Sequence, residues 1–320
     1  MFRRRHNTSE KSELDAAFQE EKVSELRAAL GSLSRRSSQF CTDACLRRYL
    51  RARNWNIDKS KKMLEDTLKW RSNYKPEEIR WVRLISLQFL KSKSLLQFFS
   101  VCQPEVAQEG ETGKAYRANF QDKDGRTVIV MTPAKQNTTS HDKQLQHLVY
   151  LLENAISNLP EEQEQMVWLI DFNGWSLSNS TPIKTAREAT NILQNHYPER
   201  LATAFLYNPP RIFETFWKIV KYFLDPMTFQ KVKFIYPKNE ETVDLIQRNF
   251  DVEVLPKEFG GKNDMQYNHE EFSRLMEKDD TKMAGFWGLN EKSKQVANGH
   301  LTSEITPEAE PSPPLAAHAS

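Results

Sequence analysis

Four polar side chains, widely spread along the chain, have the chemistry of a phosphate- and sugar-binding site: Arg53, Glu199, Thr228 and Lys231. Arginine and lysine bind phosphate groups, arginine through a two-pronged fork. A carboxylate such as that of Glu199 accepts hydrogen bonds from sugar hydroxyls. Thr228 lies at a predicted helix start, where exposed amides favour an anion, and its spacing from Lys231 places both on one helix face.

Patterns for other chemistries are weak. Residues 110–114 resemble a phosphate loop, but the spacing is too short and the required strand and helix do not flank them. His141 and His147 do not share a helix face, so we expect no metal site and no cofactor. No Gly-x-Ser-x-Gly motif occurs, and we expect Asp171 to cap the loop at Asn173 rather than to act as an acid catalyst. We therefore predict that the protein is not an enzyme.

Composition narrows the class of protein. The chain has 45 Lys and Arg against 43 Asp and Glu, so its near-neutral charge gives no indication of nucleic-acid binding. Its 3 cysteines form no disulfide framework and favour a reducing, cytoplasmic location. No apolar run reaches the ~18 residues of a spanning helix, so we expect any membrane contact to be peripheral and transient.

The first part of the chain is predicted to be helical. We divide it into residues 1–40, a helix that stops at Gly31 followed by a Ser/Arg-rich loop, and residues 41–81, a small helical module. Four arginines lie close together in this module, which usually indicates a solvated helix face; they are Arg47, Arg48, Arg51 and Arg53.

Strand-like and helix-like segments alternate over residues 105–275, which predicts an α/β domain with a mixed, largely parallel sheet covered by helices. We predict strands over residues 116–120, 126–131, 166–172, 202–207, 232–236 and 252–255. Residues 276–320 are expected to be the end of a last helix and a disordered tail. Gly260 and Gly261 are expected to form a flexible hinge.

Residues 82–104 do not fit their surroundings, because they are rich in Leu and Phe without a clear period. We treat them as an atypical insertion, for which two explanations stay open. It is either an interfacial element or sequence not normally part of such a protein. If it is genuine, we predict a disordered or membrane-touching flap whose removal leaves folding intact.

Residues 211–224 form the most distinctive predicted helix, because its apolar arc is wider than the ~100° of an ordinary surface helix. Proline-containing pairs at 209–210 and 225–226 bound it. It is either a core helix or a movable wall with a bound lipid on one side. Its apolar residues are Ile212, Phe213, Phe216, Trp217, Ile219, Val220 and Phe223.

Six short motifs stand in a characteristic order over most of the chain from about Asp43 to Phe272. They are Leu50-Arg51-Ala52-Arg53, Lys69-Trp70-Arg71, residues 122–126, Tyr197-Pro198-Glu199-Arg200, Phe223-Leu224-Asp225-Pro226 and residues 255–261. Together they resemble the CRAL-TRIO lipid-binding family, in particular its phosphatidylinositol-transfer branch.

The resemblance implies a helical N-terminal module and a CRAL-TRIO-type α/β domain that encloses one lipid. It also implies that residues 211–224 are the gate helix over the acyl chains, with the apolar residues named above, other than Ile219, as gate residues. Arg53, Thr228 and Lys231 would bind the inositol phosphate, and Glu199 would bind inositol hydroxyls.

One departure bears on the ligand. The phosphatidylcholine-binding members have a Ser-x-Thr pair where this chain has Met166 and Trp168, which cannot make the same hydrogen bonds. We therefore expect a monomeric cytoplasmic carrier of phosphatidylinositol. Two alternatives stay open: a carrier of a tocopherol- or retinoid-like ligand, and a regulatory module that presents phosphoinositide to a lipid kinase.

Overall fold

The structure is a computed structural model that describes residues 3–88 and 98–289, with side chains over residues 14–82 and 105–289. The N-terminal helices pack around a core that includes Leu26, Leu46 and Leu64. Gly31, at φ +65°, ends the first helix as predicted. The helices of this module are α1 (Arg3–Leu30), α2 (Arg35–Phe40), α3 (Asp43–Ala52) and α4 (Ile57–Tyr74).

One prediction for this module was wrong. The Ser/Arg-rich segment is not entirely a loop, because α2 forms within it. The Ser34 hydroxyl oxygen accepts a hydrogen bond from the Ser37 amide and thereby caps the new helix. Local serine capping therefore outweighs the weak helix propensity of this segment.

The predicted insertion at residues 82–104 contains an antiparallel pair of strands, β1 (Val82–Gln88) and β2 (Phe98–Pro104). Val82 is paired with Pro104, so the start of β1 and the end of β2 lie side by side. The prediction of disorder is wrong for these strands because the backbones pair with each other; residues 89–97 lie outside the described residues. Membrane contact by this segment stays a prediction.

A mixed sheet of five strands forms the centre of the α/β domain in the described part of the chain. Its first two strands are antiparallel and the remaining pairs are parallel, as predicted. In sheet order the strands are β3 (Ala115–Gln121), β4 (Thr127–Met131), β5 (Met166–Asp171), β6 (Leu201–Tyr207) and β7 (Val232–Ile235).

Helices cover this sheet. They are α5 (Ala107–Gly110), α6 (His141–Ser157), α7 (Ile183–His196), α8 (Phe213–Val220), α9 (Pro226–Gln230), α10 (Glu240–Asn249) and α11 (His269–Phe286).

The predicted strand over residues 252–255 is absent: this segment turns, and the isolated bridge beside it joins Pro256 to Asn263. The predicted helix over residues 211–224 is shorter, because α8 begins at Phe213 and residues 221–223 tighten into a 3₁₀ turn.

A buried ion pair joins the helical module to the α/β domain. The Arg71 guanidinium donates to both carboxylate oxygens of Glu153, at 2.7 and 3.0 Å, and the Tyr197 hydroxyl donates to the same carboxylate. Burial alone would lower the pKa of Arg71, but the charge of Glu153 raises it above its ordinary value. Tyr49 and Thr67 donate to the backbone oxygens of His196 and Asn195, so the module fixes the segment that leads to Glu199.

Candidate functional site: a largely apolar cavity with a charged pair

A cavity of about 700 Å³ lies between one face of the sheet, α7 and α8. This volume is within the range of ligand-binding pockets in proteins. Side chains from β5, β6 and β7 form its sheet wall; they are Met166, Trp168, Ile170, Ala204, Leu206 and Val232. All four residues predicted to bind a phosphate and a sugar line this same cavity.

Glu199 and Lys231 form a direct ion pair in the cavity wall, with Lys231 Nζ 3.3 Å from Glu199 Oε2. Glu199 lies two residues before β6, and Lys231 directly precedes β7. Because β6 and β7 are neighbouring parallel strands, their starts meet at one edge of the sheet. Glu199 also has φ +58°, a strained value for a residue with a side chain, which is a common feature of binding sites.

Thr228 lines the cavity but is already engaged locally. Both its amide and its hydroxyl donate to the Asp225 carboxylate, at 2.9 and 2.7 Å. Asp225 is the N-cap of α9, so a carboxylate occupies the position where the sequence indicated an anion. A ligand phosphate would therefore have to share Thr228 with Asp225.

The arginine cluster of α3 is not a uniformly solvated face. Arg53 lines the cavity, and its guanidinium donates to the Ala52 carbonyl oxygen at 2.9 Å. Among the described residues no carboxylate lies within ion-pair distance of Arg53. Arg48 is buried and pairs with Glu164, far away in sequence.

The predicted gate helix forms one wall of the cavity through Phe213, Phe216, Trp217 and Val220. Two of the predicted gate residues do not line it: Ile212 is 49% exposed, and Phe223 lies 5.7 Å from the Arg187 guanidinium on the outside of α7. The helix packs on an aromatic cluster, with ring centroids 4.2 Å apart for Phe213 and Phe172. Whether this wall opens stays a prediction.

Gln194, which the sequence did not single out, forms hydrogen bonds to the segment that follows α8. The Gln194 side chain, on α7, donates to the Phe223 carbonyl oxygen at 2.6 Å and accepts from the Asp225 amide. It also lines the cavity. Thr190 and Gln194 are four residues apart, so they share one face of α7, next to Leu193 on the predicted inner face. This polar pair on an otherwise apolar face is the sequence feature that could have identified Gln194.

The two glycines predicted as a hinge lie in a tightly bonded turn. Gly260 has φ +84°, and its amide donates to the Lys257 carbonyl oxygen. A Cβ on Gly261 would lie 1.8 Å from the Leu255 carbonyl oxygen, so only glycine fits there. This close approach accounts for the Gly261 position without hinge motion, and the hinge stays a prediction.

The remaining candidate residues lie elsewhere. Asp171 accepts hydrogen bonds from the Asn173 amide and side chain, at 2.9 and 2.7 Å, and so caps the loop as predicted. His141 contacts Glu188 on the surface, whereas His147 is buried in the core beside Trp81. None of the helices in residues 3–88 and 98–289 combines the length and hydrophobicity that crossing a membrane requires.

Trp168, on β5, is part of the sheet wall of the cavity. Its indole nitrogen is buried and has no hydrogen-bond partner among the described residues. Met166, two residues earlier, is also buried. Apart from this unpartnered N–H donor, the sheet wall at these two positions is apolar, and neither side chain has a hydroxyl for a phosphate.

Comparison with protein families supports the same architecture. The family model described as the CRAL/TRIO domain matches residues 110–261, and that of the CRAL/TRIO N-terminal domain matches residues 12–66. The predicted insertion at 82–104 lies between the two matched regions.

Similar proteins come from several yeasts. The chain is 31% identical to the SEC14 cytosolic factor of Kluyveromyces lactis over 77% of this chain and 79% of that protein. It is 33% identical to phosphatidylinositol transfer protein PDR17 of Saccharomyces cerevisiae over 71% of this chain, but it spans 59% of that protein. It is 32% identical to a CRAL-TRIO domain-containing protein of Schizosaccharomyces pombe over 73% of this chain and spans 20% of that protein.

The fold is also similar to a solved structure. The crystal structure of Sfh5 superposes with a TM-score of 0.55 at 18% identity, and the match covers 82% of this chain and 83% of that one. This likeness bears on the fold alone.

Proposed function

Because the chain belongs to the CRAL-TRIO family, we propose that it binds one phosphatidylinositol molecule and transfers it between membranes. Members of this family are lipid-binding proteins rather than enzymes. The proposal is supported by one observation above all: a largely apolar cavity whose lining includes the Lys231–Glu199 pair and Arg53.

The cavity matches the two halves of a phospholipid. Acyl chains would lie against the sheet wall and α8, where each buried methylene contributes about 0.8 kcal/mol. Lys231 and Arg53 would bind the phosphate, and Glu199 would accept hydrogen bonds from inositol hydroxyls. Affinity then comes mainly from the chains, and head-group choice comes mainly from the polar residues.

Exchange requires a route for the lipid, and α8 is the best-suited wall. Its outer side exposes Ile219, and the 3₁₀ turn and α9 that follow expose Tyr222 and Met227, at 80% and 62%. Lys218 is also exposed on this face. Apolar and cationic side chains together suit the surface of an anionic membrane. We infer that the protein docks there and that α8 swings outward, which would also enlarge the cavity.

Two other functions fit part of this geometry. A tocopherol- or retinoid-like ligand would use the apolar wall but leave the Lys231–Glu199 pair without a role in recognition. A regulatory module that presents phosphoinositide to a lipid kinase would use both halves of the cavity without needing α8 to open quickly. The monomeric state and the cytoplasmic location belong to the transfer proposal, whereas a lipid kinase as partner belongs to this second alternative.

The identity of the bound lipid tests the proposal. The full chain, purified from a eukaryotic host without detergent, is extracted and its lipids are quantified by mass spectrometry. We expect phosphatidylinositol near one molecule per protein, and much less in a Lys231→Ala variant. A non-phosphorylated hydrophobe in both proteins would favour the first alternative and contradict phosphatidylinositol binding.

A further inference from the structure

A second, smaller cavity of about 140 Å³ lies between the helical module, the end of α11 and the segment before β6. Three arginines line it, namely Arg48, Arg71 and Arg200. Aromatic side chains of Phe40 and Trp287 border it, and both rings face the Arg71 guanidinium, at 4.4 and 5.6 Å. The cavity is thus a cationic pocket with partly aromatic walls.

On the side of the cavity formed by Arg48 and Arg200, nearby carboxylates balance only part of the positive charge. Arg71 is paired with two buried carboxylates: Glu153, which also accepts from the Tyr197 hydroxyl, and Glu77, at 3.3 Å. Arg48 pairs with Glu164, but the same carboxylate also pairs with Arg51. The guanidinium groups of Arg48 and Arg51 therefore share the single carboxylate of Glu164.

Arg200 adds a further cation without a carboxylate of its own. Its guanidinium donates to the backbone oxygen of Glu164 at 2.8 Å, and no described carboxylate lies within ion-pair distance of it. Burial, and then the charge of Arg48, lower the pKa of Arg200 to about 10. An unpaired, largely buried guanidinium is costly, and a bound anion is the usual compensation.

We propose that this second cavity binds a phosphate-sized oxyanion, held by the guanidinium groups of Arg48 and Arg200. Arginine is suited to oxyanions because its planar fork donates two parallel hydrogen bonds. The site differs from the proposed lipid site in that neither Lys231 nor α8 lines it, although Arg200 lines both cavities. Free phosphate or a phosphomonoester on a small metabolite has the required chemistry.

The position of the pocket couples it to the larger cavity. Tyr197, Pro198 and Arg200 line both cavities, and they surround Glu199, which pairs with Lys231. An anion that fixes Arg200 therefore also fixes the backbone that presents Glu199. By linkage, the oxyanion and the ligand of the larger cavity should alter each other's affinity by the same factor.

Calorimetric titration of the full chain with inorganic phosphate, against sodium chloride of equal ionic strength, tests the site. We expect one binding event in the native chain and in Lys231→Ala, at least tenfold weaker in Arg200→Gln. Arg248→Gln, an exposed arginine on α10, is the matched control and should bind like the native chain. Glycerophosphoinositol, in a parallel titration, should lose much more affinity in Lys231→Ala than in Arg200→Gln.

Arg200→Gln keeps an amide that can donate to the Glu164 carbonyl oxygen, so we expect it to fold. Its melting temperature in chloride should be no lower than that of the native chain, whereas phosphate should raise only the native value. Equal phosphate binding by Arg200→Gln and the native chain, or phosphate binding that is lost in Lys231→Ala instead, would overturn the second site. Neither result would bear on lipid binding in the larger cavity.

Discussion

Lys231 Nζ lies 3.3 Å from Glu199 Oε2, although the two residues are separated by all of β6, α8 and α9. Each side chain is partly exposed to the cavity, at 20% and 27%. An ion pair in such a setting contributes little to folding, at most about 1 kcal/mol. Its position in the cavity wall therefore suggests recognition of a ligand that carries both a phosphate and hydroxyl groups.

The first prediction concerns this pair. Lys231→Ala and Glu199→Gln should each lower phosphatidylinositol transfer about tenfold or more, because a hydrogen bond to a charged group is worth about 1.5–3 kcal/mol. Thermal unfolding should change little in either variant. Lys233→Ala is the matched control, since this exposed lysine on the same strand does not line the cavity. Native transfer rates in both variants would refute the assignment.

The second prediction concerns the hold of Gln194 on the end of the gate helix. Gln194→Ala removes one hydrogen bond to the Phe223 carbonyl oxygen and one from the Asp225 amide. At about 1 kcal/mol for each bond, release of a fluorescent lipid to acceptor vesicles should become faster by up to about thirtyfold. Asn191→Ala, one turn earlier on α7 and exposed, should release lipid at the native rate. Slower or unchanged release in Gln194→Ala would mean that this contact does not restrain the wall.

The third prediction concerns the strand pair at residues 82–104. The Trp81 carbonyl oxygen accepts hydrogen bonds from the amides of Glu105, Val106 and Ala107, at 3.2 to 3.3 Å. If Gly-Gly replaces residues 82–104, Trp81 and Glu105 become the first and fourth residues of a β-turn that is already hydrogen-bonded. We expect a folded protein whose melting temperature is within a few degrees of the native value. Loss of folded protein on this replacement would show that the strand pair is part of the core.

That replacement also tests whether the segment contacts a membrane. If residues 82–104 touch the membrane, co-sedimentation of the variant with anionic vesicles should fall while its lipid content stays native. Equal co-sedimentation of variant and native protein would assign membrane contact to the face around α8 instead.

The fourth prediction concerns acid stability. Burial lowers the pKa of His147 to about 3 and that of His196 to about 4, from an ordinary value of 6.5. On acidification the unfolded chain therefore takes up protons first, and stability present above pH 6.5 is lost as the pH falls. Asp280 acts in the opposite direction, because burial raises its pKa to about 6 and folding gains stability below that pH.

A single substitution isolates the histidine effect. In His147→Leu the slope of unfolding free energy against pH, measured by urea denaturation between pH 4 and 6, should fall by about 1.4 kcal/mol per pH unit. An unchanged slope would mean that His147 takes up a proton in the folded protein.

The sequence indicates the fold well because its periodic segments are long and apolar. The strands predicted over residues 166–172 and 202–207 correspond to β5 and β6 within one residue at each end. Where local signals compete, prediction fails: serine capping creates α2 within an expected loop, and residues 252–255 turn although they are apolar in part. The bounds of α8 also differ, since its last turn tightens before Leu224.

The site could be predicted only in part. Glu199 and Lys231 are recognisable by type, but their contact depends on the pairing of β6 with β7. In the sequence, Arg48 looks like one of several solvated arginines. In the structure it is buried and pairs with Glu164, which is remote in sequence. Such contacts are set by tertiary packing, which neither spacing nor composition records.

We propose that the native chain moves phosphatidylinositol between membranes, and a vesicle transfer assay measures this directly. Donor vesicles contain radiolabelled phosphatidylinositol, and acceptor vesicles are separated by centrifugation after incubation with the full chain. We expect transfer well above the rate without protein and a loss of about tenfold or more in Lys231→Ala. A native chain that transfers no phosphatidylinositol above the protein-free rate would contradict this proposal.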